Sequence, residues 1–317
     1  MNSVIGIDIG YGYTKSFIMN DGIPRKLILP TAVSLYAPDF SFGTRIPTIR
    51  VNTQKFAVGE ELLINGFPCE NTVRGDFTGS PSYMAILGYV LSRNGFLGDV
   101  LVTGLPPTFY NKEMVEKLTE ELRRQWIVDE QGRVIVIPET IKIIPQGAGI
   151  FFNYVTNYPG IFLKNTLVLD IGYYTLDLVF FSGGKYIEEV AASFPMGVKV
   201  VYDKTRKLFS RVHGTFPKDD DTMDEIIRFG KYTDFEQEYS LDVREIIESY
   251  KVMVNSTVKS HLGKVTKRVD YVLAGGGGMN LFMETMKSIV PVNDPQFANA
   301  MGFYEYGKQF LKQSLKS

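Results

Sequence analysis

The sequence predicts an α/β protein built from two similar halves, and two observations carry this prediction. The phrase Asp-Ile-Gly-Tyr stands at residues 8–11 and again at residues 170–173. Apolar, strand-like segments alternate with segments of helical period along both parts of the chain, which is typical of layered α/β structure with mixed sheets. A length of 317 residues fits about two domains.

Each copy of the phrase stands between two predicted strands. In the first copy, Val4–Ile9 is an apolar run too short for a helix, and residues 14–19 form the second strand. In the second copy, strands are predicted over residues 165–170 and 175–181. A turn that contains glycine joins the strands in each copy, so we expect two equivalent hairpins that face each other.

The other elements follow from hydrophobic period and from start and stop signals. Further strands are predicted over residues 50–58, 99–104, 133–137, 140–144 and 269–274. Helices are predicted over residues 80–93, 111–126, 145–154, 197–209, 241–262 and 294–311, and from residue 279 to about residue 289. The acidic residues 217–225 are expected to form a solvated loop.

Composition and charge restrict the class of protein. Hydrophobic residues make up 44% of the chain, so sizeable cores can form. The net charge is −1 and the pI is near 6.2, so direct DNA binding is not expected. The lone Cys69 cannot form an internal disulfide and fits a reducing compartment. No leader-like segment and no apolar run of about 20 residues occurs, which predicts a cytoplasmic protein without membrane contact.

Both copies of the repeated phrase carry groups that suit a polyphosphate and its metal. Asp8 and Asp170 stand where a strand ends and a turn begins, a suitable place for carboxylates that hold Mg²⁺ through water. Backbone N–H groups of the turns can form an anion-binding nest. Lys15 can add a positive charge, although a surface lysine is the ordinary alternative. The residues expected to bind phosphate are Gly10, Tyr11, Gly12, Tyr13, Thr14 and Lys15 in the first copy, and Gly172, Tyr173, Tyr174 and Thr175 in the second.

Two other phosphate motifs fit this chain poorly. Residues 10–15 lack the third glycine of the dinucleotide fingerprint, and they lead into a predicted strand rather than a helix. The P-loop signature does not occur in the sequence.

A run of four glycines is the third signal. Gly275, Gly276, Gly277 and Gly278 follow an apolar strand and precede Met279. One glycine would suffice for a tight turn between a strand and a helix, which is the structural alternative. Four in a row let a flat ligand lie against bare backbone, which favours a binding site.

Two phosphate hairpins followed by a glycine-rich turn resemble the actin/heat-shock-chaperone/sugar-kinase ATPase superfamily. Within it, the chain is most similar to the ParM-type actin-like ATPases of plasmid segregation and to the short archaeal ParM-like actins. Residues 145–149, Pro-Gln-Gly-Ala-Gly, match the first connecting helix of those proteins. Residues 294–302, Asp-Pro-Gln-Phe-Ala-Asn-Ala-Met-Gly, match the second. The five motifs together span nearly the whole chain.

The resemblance implies a two-lobed, actin-like ATPase fold with duplicated ribonuclease-H-like domains and a nucleotide cleft between them. Domain I would comprise residues 1–157 and 296–317, with a small inserted subdomain at about 31–79. Domain II would comprise residues 158–295, with a smaller subdomain at about 200–245. The implied cofactors are ATP, or GTP, and Mg²⁺, with the base-specific contacts expected within residues 241–262.

The resemblance also implies roles for individual residues. Asp8 and Asp170 would serve catalysis by organising Mg²⁺ through water, and Asp177 would help to position the metal waters. Residues 275–279 would pack on the adenosine, and Gly197 would lie near the ribose.

Two features bear on the implied hydrolysis. Gln146 would orient the attacking water, and because a neutral amide cannot act as a general base, hydrolysis is expected to be slow. Tyr173 and Tyr174 depart from the family pattern, in which many relatives have Gly or Ser, and their bulk narrows the second turn.

The implied activity is a nucleotide-driven filament. Closure of the lobes on nucleotide would favour head-to-tail contacts between copies, and a contact that does not close into a ring makes a helical filament. The cargo would be plasmid DNA, held through an adaptor protein. A small-molecule kinase of the same superfamily is the alternative, and it needs a catalytic Asp beyond those already assigned to the metal.

Overall fold

The fold is described from a computed structural model. It describes residues 3–35, 45–217, 220–235, 237–263, 268–281 and 289–314. The strands, in chain order, are β1 (Val4–Ile9), β2 (Tyr13–Asn20), β3 (Ile23–Pro30), β4 (Val33–Ser34), β5 (Thr48–Val51), β6 (Gln54–Val58), β7 (Val100–Leu105), β8 (Ile127–Asp129), β9 (Thr140–Pro145), β10 (Thr166–Ile171), β11 (Leu176–Ser182), β12 (Lys185–Tyr186), β13 (Ala192–Phe194), β14 (Lys231–Asp234), β15 (Gln237–Ser240), β16 (Tyr271–Gly275) and β17 (Val290–Pro291).

The helices cover the faces of the sheets and the regions between them. They are α1 (Glu60–Ile64), α2 (Pro81–Asn94), α3 (Lys112–Arg124), α4 (Ala148–Asn157), α5 (Lys199–His213), α6 (Asp220–Phe229), α7 (Arg244–Leu262) and α8 (Ala298–Ser314), with short 3₁₀ turns at Pro107–Phe109, Pro159–Ile161, Glu188–Val190 and Gly277–Leu281. Within the described ranges, no helix is both long and apolar enough to cross a membrane.

Two larger sheets repeat one arrangement. The first has the strand order β3-β2-β1-β7-β9, and the second has the order β12-β11-β10-β16-β17, with β13 beside β11. In each sheet an antiparallel hairpin, β1/β2 or β10/β11, lies next to a parallel neighbour, β7 or β16. The prediction of an α/β fold with two similar halves is confirmed, and the repeated phrase marks corresponding places in the two sheets.

The central strands are buried on both faces, as their apolar runs predict. Ile5, Ile7 and Ile9 of β1 point into a core shared with α2, whereas Val4 joins a second core that contains α4 and α8. The second sheet follows the same alternation, because Leu167 faces the core under α5 and α7 and its neighbours on β10 alternate with it. Helices α4 and α8 therefore share a core to which strands of both sheets contribute.

Helices α4 and α8 touch backbone to backbone. A Cβ atom placed on Gly302 of α8 would lie 1.7 Å from the carbonyl oxygen of Gly149 in α4, and one placed on Gly149 would lie 2.4 Å from the Asn299 carbonyl oxygen. Helix α8 also packs on β1, β2 and β7. Glycine at both positions is what allows this approach.

Several predicted elements are confirmed with small shifts at their ends. Helix α2 begins after the N-cap Ser80, whose side chain accepts a hydrogen bond from the Tyr83 N–H, and Asn111 caps α3 in the same way. Helix α7, at 19 residues, is the longest in the described part of the chain, as expected. The limits proposed for the two domains stay a prediction.

Two predicted elements are wrong, and the start of a third is displaced. Residues 133–137 make a single bridge, Val128 to Val134, instead of a strand. Pro145 ends β9 and Gln146 lies in a turn, so the helix begins only at Ala148. The segment predicted as an acidic loop contains the start of α6, because Met223, Ile226 and Ile227 form a buried stripe with helical spacing.

Strand β3 and the β14/β15 hairpin were not predicted. The helix predicted from residue 279 begins as the 3₁₀ turn Gly277–Leu281, and residues 282–288 lie outside the described residues.

Candidate functional site

A cavity of about 220 Å³ lies where the turns of the two central hairpins meet. It brings together most of the residues singled out in the sequence. Those that line it are Asp8, Gly10, Tyr11, Gly12, Tyr13, Lys15, Gln146, Asp170, Gly172, Tyr173, Tyr174, Thr175, Asp177, Gly276, Gly277 and Gly278.

The first turn is held by its carbonyl groups. Thr31 donates its hydroxyl to the Gly10 carbonyl (2.7 Å) and its N–H to the Gly12 carbonyl (2.9 Å), and Thr72 donates its hydroxyl to the Tyr11 carbonyl (2.6 Å). In a trans peptide the N–H points away from the preceding C=O. Since Thr31 and Thr72 do not line the cavity while the turn does, the turn N–H groups face the cavity side.

The second turn is held in an equivalent way by main-chain groups. The carbonyls of Gly172, Tyr173 and Tyr174 accept hydrogen bonds from the N–H groups of Val198 (3.1 Å), Lys199 (2.8 Å) and Gly197 (2.9 Å), respectively, at the start of α5. The N–H groups that follow these carbonyls therefore point away from the start of α5. Because both turns line one cavity, their backbone N–H groups could form a site suited to an anion.

The two hairpins differ in charge at one matched position. Asp8 pairs in register with Lys15 across the first hairpin, and Asp170 pairs with Asp177 across the second. The Gly10 N–H donates to the Tyr13 carbonyl (3.2 Å), just as the Gly172 N–H donates to the Thr175 carbonyl (2.8 Å). The backbone frame is therefore repeated, while a lysine in one copy stands where the other has an aspartate.

The pKa values of three buried carboxyl groups at the cavity are raised, and burial is the largest cause for each of them. Burial raises the pKa of Asp177 to about 7, with the Asp170 charge as the next cause, and burial together with the Asp8 charge raises the pKa of Asp170 to about 6. Burial also raises the pKa of Asp8, against the opposing effect of Lys15, whose Nζ lies 3.7 Å from an Asp8 oxygen. One buried oxygen of Asp177 has no hydrogen-bond partner within the described part of the chain.

This concentration of carboxyl groups fits a divalent cation held at a distance. Within the described ranges, no group of three or more His, Cys, Asp or Glu side chains is arranged to ligate a metal directly. Asp8 and Asp170 could hold Mg²⁺ through its waters, which is how Mg²⁺ is often bound beside phosphates.

Two buried amides line the cavity: Gln146 is bonded within the first half, and Asn299 connects the two halves. Gln146 donates to Asp8 (3.2 Å) and to the Ile9 carbonyl (3.3 Å). Asn299 donates to Asp170 (2.6 Å) and accepts from the Gly147 N–H (2.9 Å). Asn299 was not singled out, although it lies inside the matched motif at residues 294–302 and is a buried amide in an otherwise apolar segment.

The glycine-rich turn has packing reasons of its own. A Cβ atom on Gly276, whose φ is +88°, would lie 2.4 Å from the Ile171 carbonyl oxygen, and one on Gly278 would lie 2.4 Å from Val198. At Gly277 the nearest such contact is 3.9 Å. The structural alternative thus accounts for at least two of the four glycines, and Gly276, Gly277 and Gly278 line the cavity as well.

Four predicted residues do not line the cavity. Thr14 is buried behind the first turn, where its hydroxyl bonds that of Thr31. Gly275 faces Ile150, and Met279 is buried in the core under α5 and α7. Gly197 lies directly behind the second turn, because a Cβ atom there would be 2.3 Å from the Tyr173 carbonyl oxygen.

The far end of the cavity is formed by α5 and α6. Tyr202 of α5 and Asp220, Asp224 and Arg228 of α6 line it, and none of them was singled out in the sequence. Asp220 and Asp224 were missed because residues 217–225 were read as a loop. No residue of the segment 241–262, expected to hold the base, lines this cavity.

Comparisons with known proteins agree with this architecture. A family model described as the N-terminal domain of actin like proteins matches residues 6–149, and one described as the C-terminal domain of an archaeal actin homologue, MreB-like, matches residues 168–288. No curated protein matches the sequence at a significant level.

Solved structures share the fold over nearly the whole chain. A crystal structure of Ta0583, an archaeal actin homolog, has a TM-score of 0.78 at 21% identity and covers 97% of this chain and 99% of its own. Its complex with ADP has a TM-score of 0.74 at 21% identity, with 98% and 100% covered. A 15-stranded ParM filament from Clostridium botulinum has a TM-score of 0.73 at 20% identity, with 98% and 100% covered.

The duplicated sheets with a cleft between their hairpin turns define the two-domain, actin-like class of α/β proteins. Since family models for both halves match in tandem, the chain belongs to the actin-like proteins. The resemblance inferred from the motifs is thereby confirmed.

Proposed function

We propose that this protein binds ATP with Mg²⁺ between its two hairpin turns, hydrolyses it slowly and assembles into nucleotide-dependent filaments. The observation that supports the proposal is the pair of turns that line one cavity, each with its carbonyls bonded to other segments, so that the N–H groups that follow those carbonyls point away from these segments. An archaeal relative of the same fold has been solved with ADP, which supports a nucleotide as the ligand.

The charge of each side chain determines its proposed role in binding. Lys15 contributes a positive charge beside the first turn, and Asp8 and Asp170 hold the waters of Mg²⁺, with Asp177 next to them. Mg²⁺, when bound, neutralises charge on the phosphate oxygens. The glycines at 276–278 offer bare backbone to the adenosine or guanosine, with Gly197 behind the turn.

Gln146 is the residue proposed to orient the attacking water. It is buried and fixed by hydrogen bonds to Asp8 and Ile9, so its amide is well positioned. An amide does not accept a proton at neutral pH, so the expected hydrolysis is slow.

The proposed filament assembly rests on the similarity of this chain to actin-like proteins. A ParM of similar fold is known as a 15-stranded filament, which supports self-association here. We further propose plasmid segregation as the role, with DNA held through an adaptor protein.

The first test is nucleotide binding. Fluorescent ADP and ATP analogues should bind the wild-type protein more tightly with Mg²⁺ than with EDTA, and Asp170→Asn should lose this Mg²⁺ dependence. Asp76→Asn is the matched control, because Asp76 is 80% exposed and lies outside the cavity. Equal binding with Mg²⁺ and EDTA in the wild type would contradict the proposed metal site.

The second test is assembly. Sedimentation and electron microscopy with ATP, GTP and a non-hydrolysable analogue should reveal polymer that disappears without nucleotide. Nucleotide binding without polymer under every salt condition would reject the filament and keep the nucleotide site.

One observation favours a small-molecule kinase as the second candidate. Asp177 is buried, its pKa is raised to about 7 by burial and by Asp170, and one of its oxygens has no partner within the described residues. A carboxylate of that pKa is suited to take a proton from a substrate hydroxyl. Phosphate release from ATP without any phosphorylated acceptor, across a panel of small alcohols and sugars, would reject this function.

A further inference from the structure

The small sheet of strands β4, β6, β5 and β8 leaves apolar side chains exposed at one edge. Val128 of β8 bridges Val134, so the next pair in the same antiparallel register is Trp126 with Val136. Side chains alternate between the two faces of a strand, which places these four residues on one face. Trp126 is 58% exposed, Val136 is 61% exposed and Val134 is 45% exposed. Together with Val128 they form the edge patch.

Two basic residues continue the same face across the sheet. Arg50 of β5 pairs in register with Val128, and Lys55 of β6 pairs with Arg50. Both are exposed, and neither makes an ion pair with another residue of the described ranges. Like charges directly opposite each other on neighbouring strands repel and destabilise the sheet. An acidic group from another molecule would offset this repulsion.

A shallow groove of about 500 Å³ lies beside the edge patch. Val134 and Val136 line it, as do Leu122 and Pro138, both of which are buried. An apolar side chain that entered the groove would exchange contact with water for contact with these aliphatic groups, which is favourable. The groove is therefore suited to an apolar side chain from another molecule.

An aromatic side chain of that kind lies at the tip of the β14/β15 hairpin. Asp234 pairs with Gln237, so two residues connect the strands, and Phe235 is the first of them. Phe235 is 94% exposed and has a φ of +56°. Two-residue hairpin turns favour Asn or Gly at positive φ, and a bulky residue there is strained. The ring gains little packing within its own chain, and strain of this kind is typical of functional positions.

Acidic residues flank this ring in the sequence. Phe235 stands between Asp234 and Glu236. The basic Lys231 of β14 is bonded to Glu238 of β15 (2.9 Å), which compensates its charge. The hairpin thus combines an exposed aromatic ring with an acidic flank, whereas the edge patch combines an apolar groove with two basic residues.

We propose that the tip of the β14/β15 hairpin docks on the edge patch of a second copy of this chain, with Phe235 in the groove and Asp234 beside Arg50 and Lys55. The two surfaces are complementary in polarity and in charge. Because one copy supplies the tip and the other supplies the patch, the contact is heterologous and can repeat along a filament. The inference rests on the filament proposed above and names one pair of surfaces that would form it.

The first readout is the fluorescence of Trp126. It is the only tryptophan of the chain, so its emission, excited selectively, reports on the edge patch alone. The emission should shift to the blue as polymer forms with ATP in the wild type, because docking removes an exposed indole from water. Phe235→Asn should abolish the shift, although residue 235 belongs to a different hairpin.

The second readout is the critical concentration for assembly, measured by sedimentation with ATP. Phe235→Asn should raise it at least about tenfold, as expected for an aromatic anchor at an interface. Asn suits a positive φ, so in urea denaturation this variant should be as stable as the wild type or more stable. Val252→Asn is the matched control, because Val252 is 67% exposed on α7, and it should assemble as the wild type does.

The charged part of the contact has its own test. Arg50→Glu combined with Lys55→Glu should weaken assembly, and the difference from the wild type should be larger at low salt than at high salt, because salt screens exposed charges. Every variant should bind a fluorescent ADP analogue as the wild type does, since none of these residues lines the cavity.

The outcomes separate the docking contact from the filament itself. If wild-type polymer forms without a change in Trp126 emission, or if Phe235→Asn assembles normally, the inference is rejected and the filament stands. A blue shift on anionic lipid vesicles with none on assembly would also reject it, since the edge patch would then bind a lipid surface. If the folded wild type binds nucleotide and forms no polymer in any condition, the inference and the filament both fail, while the nucleotide site stands.

Discussion

The two central hairpins have the same backbone and different chemistry. In both, a glycine N–H bonds the carbonyl three residues later, and an aspartate ends the first strand. The first turn is held by threonine side chains and by one threonine N–H, whereas the second is held by main-chain N–H groups at the start of α5. The partner of the aspartate is Lys15 in one and Asp177 in the other. The two hairpins thus share the same backbone geometry and carry different charges at the matched position.

The largest expected effect is a loss of nucleotide affinity, and its dependence on Mg²⁺ should differ between variants of Lys15 and Asp177. Lys15→Met removes the positive charge from the first turn, so nucleotide affinity should fall about tenfold to a hundredfold with or without Mg²⁺. Asp177→Asn should weaken only the part of the binding that depends on Mg²⁺. Titration calorimetry with and without EDTA measures both, and Lys112→Met, 89% exposed on α3, is the control. If both variants lost the same affinity with and without Mg²⁺, the proposed difference between Lys15 and Asp177 would be wrong.

The next effect is steric and belongs to the first turn. Gly12→Ala would bring a Cβ atom to 2.9 Å from the Tyr173 Cβ, so one turn must move. We expect a loss of about 2 kcal/mol in the free energy of unfolding, from urea denaturation. Gly75→Ala makes the same chemical change where nothing lies within 4 Å, and it should be nearly neutral. Unchanged stability of Gly12→Ala would mean that the turns are not in contact.

A smaller effect is a pH dependence that arises from the second hairpin. The pKa values of Asp170 and Asp177 are raised from 3.8 to about 6 and about 7. The folded protein then binds protons more tightly than the unfolded chain, so stability should fall as the pH rises from about 4 to about 7. The slope is up to about 1 kcal/mol per pH unit for each group. In thermal unfolding without nucleotide, Asp177→Asn should flatten the upper part of this window, and an unchanged slope would contradict the assignment.

The smallest effect concerns how the first turn is held. Thr31→Val loses the hydroxyl that bonds both the Gly10 carbonyl and Thr14, and stability should fall by about 1 kcal/mol. Thr31→Ser keeps the hydroxyl and should restore most of that loss. Urea denaturation of the three proteins checks this, and equal stability of the Val and Ser variants would show that the methyl group, rather than the bond, matters.

The sequence was most informative where the structure depends on neighbours along the chain. The hairpins were predictable because a short apolar run ends in Asp and Gly, and each turn is closed by bonds within four residues. Helix α6 was missed because its first residues are acidic, which hides the buried stripe of Met223, Ile226 and Ile227.

Contacts between distant segments could not be predicted. Asn299 meets Asp170 and Gly147, which are 129 and 152 residues away, and no local pattern encodes such a pairing. The glycine-rich turn is similar: its glycines are needed partly because Ile171 and Val198 approach them, and that approach exists only in the folded chain.

The contact between α4 and α8 restricts how the two halves can move. Gly149 and Gly302 bring backbone against backbone where the helices cross, and Phe152 and Tyr306 pack against each other further along them. A rotation about this crossing keeps the contact, whereas a translation breaks it. We therefore expect opening of the cleft to rotate helices α4 and α8 about the point where Gly149 and Gly302 are in contact.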